Sequence, residues 1–300
     1  MNISNKEALG NVAKNARYGV LWFILSLLFD NLNDVVMKHV SKNIDSFEII
    51  FFRFFFSTFI LLPFIWRQQI IVTKKILYLH FTRGALLFSG ISLWIVGLGV
   101  VKLTIATSIN FIIPVFILIL ATIFLNEKFN WVKVISTIGG FIGTIVVINP
   151  TGVGFDISSI TLIFSALIFA ILDIVNKRFI IEESTLNMLF YSGLFVLLLS
   201  IVPTIYSWNT PTVSDLFFLF LLGIGGNLIL YCLLKSFALI HISSVAAYRY
   251  IELVFSMLLG YIIFDEIPNL TLIIGVVIIV ISTLFLMYET LLNKTSEQNN

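Results

Sequence analysis

Long apolar runs separated by short polar connections repeat along the whole chain. A helix needs about 20 mostly apolar residues to cross the hydrocarbon core of a bilayer. Ten stretches of about this length can be marked, at 18–38, 47–66, 84–101, 104–125, 131–149, 158–177, 185–207, 213–239, 243–264 and 270–289. The pattern predicts an all-α integral membrane protein with ten transmembrane helices.

Composition supports a lipid bilayer as the surroundings of most of this chain. Of its 300 residues, 59% are hydrophobic and 11% are charged, whereas soluble domains contain about 25% charged residues. The net charge of +2 is too small to indicate binding to nucleic acid. A single cysteine, Cys232, excludes an intramolecular disulfide and a cysteine-rich metal site.

Motifs for enzymatic or ATP-driven chemistry are absent from the sequence. His39, His80 and His241 lie at predicted helix ends, and no H-E-x-x-H zinc motif occurs. The chain also has no P-loop, which an ATP-driven pump needs on this or another subunit. We therefore expect neither an enzyme nor a cofactor, and the oligomeric state stays open.

An internal repeat appears when the sequence is shifted by 139 positions. Asp34 then falls on Asp173 and Glu127 on Glu266, with no gap between the two matches. The repeat predicts two halves, residues 1–149 and 150–300, with five helices each. Because five is odd, the halves must enter the membrane from opposite sides. Such inverted repeats are typical of secondary transporters.

Two further stretches, together with this architecture, resemble a known family. Ten short-looped helices in two halves, with a Glu after the fourth and the ninth, resemble the EamA branch of the drug/metabolite transporter superfamily. The stretches Asn33–Val40 followed by Phe47–Ser57, and Ala247–Ser256, are similar to the S-adenosylmethionine transporters of obligate intracellular bacteria. This resemblance implies import of S-adenosylmethionine across the inner membrane, in some members in exchange for S-adenosylhomocysteine.

Polar residues inside the predicted spans are the candidate binding residues, because a charge in the bilayer interior costs about 2.5–3.5 kcal/mol. A polar residue found in only one half is the better candidate for contacting an asymmetric substrate. Residues matched in both halves, such as Glu127, are better explained as scaffold. The candidate substrate-binding residues are Asp30, Asp34, Trp94, Asn110, Tyr231, Lys235, Tyr248, Arg249 and Glu252.

The ninth span carries the strongest of these candidates. On an α-helix, Tyr248, Arg249 and Glu252 share one face, and the first half has Asn110 and Ile113 where the second has Arg249 and Glu252. Two interpretations stay open, a patch that faces the substrate and a buried Arg249–Glu252 pair that locks helices together.

The remaining charges also allow two interpretations each. Asp30 is either a cation site or the partner of a basic group such as Arg53. Lys235 either binds substrate or extends to the headgroups. Asp34 and Lys38, and Asp173 and Lys177, are spaced i,i+4 at matching positions near helix ends. Each Asp can pair with its Lys there, and a scaffold role is favoured over a role in binding.

S-adenosylmethionine suits this set of residues. Its carboxylate needs a guanidinium group, its ammonium and sulfonium need carboxylates, and aromatic rings suit its adenine. An ordinary amino acid suits much of the same set. The alternative is therefore a proton- or gradient-driven exporter of amino acids or related metabolites.

The distribution of basic residues predicts that both termini are cytoplasmic. With the N-terminus inside, twelve Lys and Arg fall on cytoplasmic ends and loops, and three fall outside. A reporter that is active only in the cytoplasm should therefore be active when fused at either end. Activity of a periplasm-specific reporter fused after Asn300 would contradict this orientation.

Overall fold

The computed structural model describes residues 3–41, 43–67, 73–98, 109, 111–127, 130–148, 159–264, 270, 273–282 and 284–285. Its helices are α1 (Ile3–Val40), α2 (Ser46–Trp66), α3 (Lys74–Leu98), α4 (Ile113–Phe124), α5 (Trp131–Ile148), α6 (Ser159–Phe179), α7 (Thr185–Tyr206), α8 (Val213–Leu239), α9 (Ile242–Ala246) and α10 (Glu252–Phe264). A 3₁₀ segment, Ala247–Ile251, joins α9 to α10. Helix α11 covers Ile273–Ser282.

These helices confirm the predicted all-α membrane fold with ten spans. Six helices, α1 to α3 and α6 to α8, are long and apolar enough to cross a bilayer. The shorter apolar helices α4, α5 and α11 and the divided span α9–α10 supply the other four. The third span departs from the prediction, since α3 begins at Lys74 and not at residue 84. Arg83 is therefore inside a helix.

The helix ends repeat at the predicted shift of 139 residues. The side chains of Asp45 and Ser184, which are equivalent in the two halves, each cap the helix that follows. Helices α1 and α6 end at the equivalent residues Val40 and Phe179. Later helices begin at equivalent residues in the two halves, at Ser46 and Thr185, at Lys74 and Val213, and at Ile113 and Glu252. The two halves thus fold alike, in the register that the sequence predicts.

Contacts between the halves obey the same symmetry. A Cβ atom on Gly84 would lie 2.5 Å from Cβ of Phe195, and one on the equivalent Gly223 would lie 2.8 Å from Cβ of Phe56, the counterpart of Phe195. Small residues allow such close helix contacts in membranes. The two equivalent contacts relate the five-helix repeats by an approximate two-fold axis.

A stacked pair of aromatic rings marks this axis. The ring of Tyr250 stacks on that of Phe111, its counterpart in the first half, with centroids 5.8 Å apart and planes at 26°. The hydroxyl of Tyr250 donates to the backbone oxygen of Phe111 at 3.3 Å. A residue that contacts its own counterpart lies close to the axis that relates the halves.

Helix α8 approaches α1 and α2 closely because glycines replace side chains on its inner side. A Cβ atom on Gly225 would lie 2.5 Å from Oδ1 of Asn33 on α1. One on Gly226 would lie 3.0 Å from Nε of Arg53 on α2. These glycines bring polar groups of three helices together inside the bundle.

Candidate functional site

The ninth span is divided and does not form one continuous α-helix. It begins with α9, continues as the 3₁₀ segment Ala247–Ile251 and resumes as α10 at Glu252. A 3₁₀ stretch within a helix often marks a functional hinge. Side chains three residues apart eclipse one another in a 3₁₀-helix, which keeps Arg249 and Glu252 on one line. Tyr248, which was predicted to share this face, is 2% exposed and packs in the apolar core.

Arg249 forms an ion pair with Asp173 of α6. Its Nη2 atom donates to Oδ2 of Asp173 at 2.8 Å, and the side chains are 15% and 8% exposed. Lys177 donates instead to the backbone oxygens of Phe237 and Ile240 at the end of α8. The predicted pair of Asp173 with Lys177 is therefore wrong, because each residue has another partner.

Asp30 and Asp34 lie one turn apart on α1, near Arg53 of α2. The charge of Arg53 acts on both carboxyl groups, although in the described part of the chain neither carboxyl forms a contact ion pair. Asp34 is exposed, whereas Phe23 and Leu27 on the same helix face are buried. Because this face points into the bundle, the exposure of Asp34 indicates an open internal space.

Glu252 interacts both with the Arg249–Asp173 pair and with the group formed by Asp30, Asp34 and Arg53. Its carboxyl group interacts electrostatically with Asp30 and Arg249, and with Asp34. Arg249 also acts on Asp30. Helices α1, α2, α6 and the ninth span thus bring together a charge cluster of six residues, Asp30, Asp34, Arg53, Asp173, Arg249 and Glu252.

The charge cluster contains more carboxyl than guanidinium groups. Four carboxylates and two guanidinium groups have a formal charge of −2 when all are ionised. Ionisable groups inside a membrane span mark substrate or ion pathways. The excess of carboxylates favours a cationic occupant, and the guanidinium groups add the ability to bind a carboxylate.

In the described residues, Tyr231 and Lys235 form no ion pair with a member of the charge cluster. Tyr231 is 37% exposed, and its ring packs edge-on against that of Trp22 on α1, with centroids 5.8 Å apart. Nζ of Lys235 lies 5.5 Å from the centre of the Tyr231 ring. Asn227, one turn before Tyr231, exchanges hydrogen bonds with Ser57 of α2, so this stripe of α8 faces α1 and α2.

Trp94 is half-buried near the end of α3. It lies one turn from Gly90 and close to Gly97, two glycines whose inner sides contact Phe169 and Leu162 of α6. Trp94 therefore lies on the side of α3 that packs against α6. Asn110 lies outside the described residues.

Comparison with known proteins identifies the family. The EamA-like transporter family matches residues 17–149 and 157–288, once for each half. The chain belongs to the EamA-like transporter family. It is therefore a multi-pass membrane transporter and not an enzyme.

Two relatives and one solved structure extend over nearly the whole transporter. The S-adenosylmethionine uptake transporter of Rickettsia bellii is 41% identical, over 94% of this chain and 97% of its own. That of Rickettsia prowazekii is 40% identical, over 97% of this chain and 100% of its own. A crystal structure with 16% identity superposes with a TM-score of 0.78, covering 89% of this chain and 95% of the other. The last likeness concerns the fold alone.

Arg83 of this EamA-like transporter, one of the twelve basic residues that the sequence assigns to the cytoplasmic side, is a buried polar residue. It is 1% exposed. Its Nε donates to Oδ1 of Asn176 at 2.7 Å and its Nη1 to the backbone oxygen of Met188 at 3.1 Å, and Nη1 lies 3.4 Å from Nδ1 of His80. These contacts join α3, α6 and α7. Arg83 is therefore a scaffold residue, and its depth was hidden because the start of α3 was placed too late.

Arg53 is a member of the charge cluster that sequence reasoning considered only as a partner of Asp30. A signal was present, because Ser192 stands at the equivalent position of the second half. The rule that favoured residues unmatched in the repeat would have selected Arg53 as well.

Glu127 belongs to the scaffold, as its match in both halves predicts. It lies between α4 and α5 and accepts hydrogen bonds from the backbone N–H groups of Ile242 and Ser243, at 2.9 and 3.3 Å. It thereby caps α9 of the other half. Burial acts to raise the pKa of Glu127, but hydrogen bonds from His241 and Ser243 and the charge of Lys133 lower it to about 2.

The loss of this cap should destabilise the protein in a pH-dependent way. Glu127→Gln is expected to lower the free energy of unfolding at pH 7 by about 1.5–3 kcal/mol, as for other hydrogen bonds to charged groups. The folded pKa of about 2 lies below the ordinary value of 4.5. The stabilisation is therefore complete above about pH 5 and is lost as the pH falls towards 2.

Thermal unfolding of the purified protein in detergent, at steps between pH 7 and pH 3, measures this effect. The difference between Glu127→Gln and wild type should shrink with acidification. Glu182→Gln, at an exposed loop position, is the matched control and should behave as wild type. A Glu127→Gln protein as stable as wild type at pH 7 would contradict the capping role.

Proposed function

We propose that this transporter imports S-adenosylmethionine across the inner membrane of a bacterium by alternating access, in exchange for S-adenosylhomocysteine. The observation that carries the proposal is the full-length similarity to two proteins named as S-adenosylmethionine uptake transporters. We also propose that both termini are cytoplasmic, in keeping with the distribution of Lys and Arg.

The charges of the substrate match those of the charge cluster. S-adenosylmethionine carries an ammonium, a sulfonium and a carboxylate, and its net charge is positive by one unit. When all of its groups are ionised, the cluster has a formal charge of −2, which attracts such a molecule and compensates its charge inside the membrane. A neutral zwitterionic amino acid would leave more of the carboxylate excess uncompensated.

Each part of the substrate has a candidate partner. Asp30, Asp34 and Glu252 bind the ammonium and sulfonium groups, and a guanidinium group of the cluster binds the carboxylate. Asp34 is open to the internal space, which gives the substrate access to these groups. Trp94, on the inner side of α3, stacks on the adenine.

Two features of the fold suit alternating access. The site lies between two repeats of opposite orientation, the usual position of a transporter site. The 3₁₀ segment within the ninth span carries Arg249 and provides a local hinge next to Glu252. Rocking of one repeat against the other would then open the cluster to either side in turn.

Uptake of radiolabelled S-adenosylmethionine tests the function directly. Bacteria that express the chain should accumulate the label well above an empty-vector control, and unlabelled S-adenosylhomocysteine in excess should compete. Plain amino acids should not compete. Absence of uptake, together with export of amino acids by the same cells, would favour the alternative of an amino-acid exporter.

Glu252→Gln is expected to impair binding and to leave folding intact. The substitution keeps the shape of the side chain and removes one negative charge. A charge-assisted hydrogen bond contributes about 1.5–3 kcal/mol, which predicts that the apparent affinity for S-adenosylmethionine falls by roughly tenfold or more. Because Arg249 has its ion pair with Asp173, the loss of the Glu252 charge leaves that pair intact.

Asp173→Asn provides the comparison for a structural role. It removes the partner of a largely buried Arg249, and breaking a buried pair costs about 3–5 kcal/mol. Asp173→Asn should therefore lower yield and thermal stability, whereas Glu252→Gln should lower uptake and leave yield and thermal stability unchanged. If Glu252→Gln loses as much stability as Asp173→Asn, Glu252 is scaffold and the assignment of its role is wrong.

A further inference from the structure

The two guanidinium groups of the charge cluster differ in how they are bound. Arg249 is in contact with Asp173 at 2.8 Å. In the described part of the chain, Arg53 has no such contact ion pair. The Nε atoms of both residues are buried without a hydrogen-bond partner, so the ion pair is the difference between them. An unsatisfied buried donor of this kind is unfavourable unless a ligand completes it.

We infer that Arg53, and not Arg249, holds the carboxylate of the transported molecule. The inference rests on the proposed function, since it assigns one group of the proposed substrate to one residue. Arg249 is then a positioning residue that ties the 3₁₀ segment to α6 through Asp173. A substrate carboxylate would have to displace Asp173 to reach Arg249 in the same way, whereas the donors of Arg53 need no such displacement.

The neighbours of Arg53 fit the head group of an amino acid. In such a head group the ammonium stands one carbon from the carboxylate, so a site needs acidic and basic side chains side by side. Arg53 has Asp30 and Asp34 as its electrostatic neighbours, and Asp34 is open to the internal space. A carboxylate on Arg53 would thus leave the ammonium close to Asp30 and Asp34.

The position of Arg53 depends on a glycine of α8. A Cβ atom on Gly226 would lie 3.0 Å from Nε and 3.3 Å from Nη2 of Arg53. The guanidinium group therefore lies flat against α8 in space that a larger residue would occupy. Since the second half has Ser192 at the equivalent position, this guanidinium breaks the symmetry of the repeats. An asymmetric substrate requires such a difference.

Decarboxylated S-adenosylmethionine is the probe that tests the assignment. It keeps the ammonium, the sulfonium and the adenosine, and it lacks the carboxylate. Uptake of both labelled compounds is measured in cells that express wild type, Arg53→Gln, Arg53→Lys or the double variant Arg249→Gln/Asp173→Asn. The double variant removes the other guanidinium together with its partner, so that no buried charge is left unpaired. A fluorescent tag reports the amount of folded protein in the membrane.

Wild type should prefer S-adenosylmethionine over the decarboxylated compound by about tenfold or more, as expected for a charge-assisted bidentate contact. Arg53→Gln should lose this preference or reverse it, because the probe has the higher positive charge. Arg53→Lys keeps the charge but not the fork of donors, so its preference should be intermediate. The double variant should keep the wild-type ratio.

Other outcomes overturn the assignment in distinguishable ways. Loss of the preference in the double variant and not in Arg53→Gln would place the carboxylate on Arg249. An unchanged ratio in every variant would place it elsewhere. If Arg53→Gln does not fold, a wild-type ratio in a folded Arg53→Lys protein overturns the assignment. Wild type that takes up neither compound would overturn the proposed function, and this assignment with it.

Discussion

The hydrocarbon core offers no hydrogen-bond partner, so each polar group within it must be satisfied by the chain itself. Two charged residues in the spans have hydrogen-bond partners within the protein. Arg83 is bound by Asn176 and the backbone of Met188, and Lys177 is bound by two backbone oxygens at the end of α8. Arg53 of the charge cluster differs from them, because in the described residues it forms no contact ion pair and its buried Nε has no hydrogen-bond partner. This difference is the ground for proposing that Arg53 binds a ligand.

Symmetry of the scaffold and asymmetry of the site have different physical causes. Close helix contacts can be equivalent in the two halves, since backbone approach through Gly84 and Gly223 requires only the absence of a side chain. Phe111 and Tyr250 can likewise stack on each other at the axis. A substrate with distinct ends cannot be bound by two identical half-sites. The candidate site accordingly lies where the second half has Arg249 and Glu252 in place of Asn110 and Ile113.

The sequence was sufficient for the ten spans, the register of the repeat and the structural role of Glu127, because hydrophobic length and spacing determine these directly. It was insufficient for the ion pair of Arg249 with Asp173, which joins residues 76 positions apart and leaves no local pattern. The helical periodicity used for the ninth span assumed α geometry, which the 3₁₀ segment interrupts. The orientation of Tyr231 could not be predicted either, since α8 is apolar on nearly all sides and has no pattern that distinguishes its inner from its outer face.

The proposed exchange moves net charge across the membrane. S-adenosylmethionine carries one net positive charge, whereas S-adenosylhomocysteine lacks the sulfonium and is a neutral zwitterion. Each cycle therefore brings one positive charge into the cell, and a potential that is negative inside assists this by about 2.3 kcal/mol per 100 mV. The cluster must therefore bind both a cationic and a neutral molecule. An excess of carboxylates binds the cation strongly and the neutral product more weakly, so that the product leaves and the next cation replaces it. In the proposed exchange, the membrane potential and the two concentration gradients set the direction, and the arrangement of Asp30, Asp34 and Glu252 around two guanidinium groups sets the relative affinity for the two cargoes.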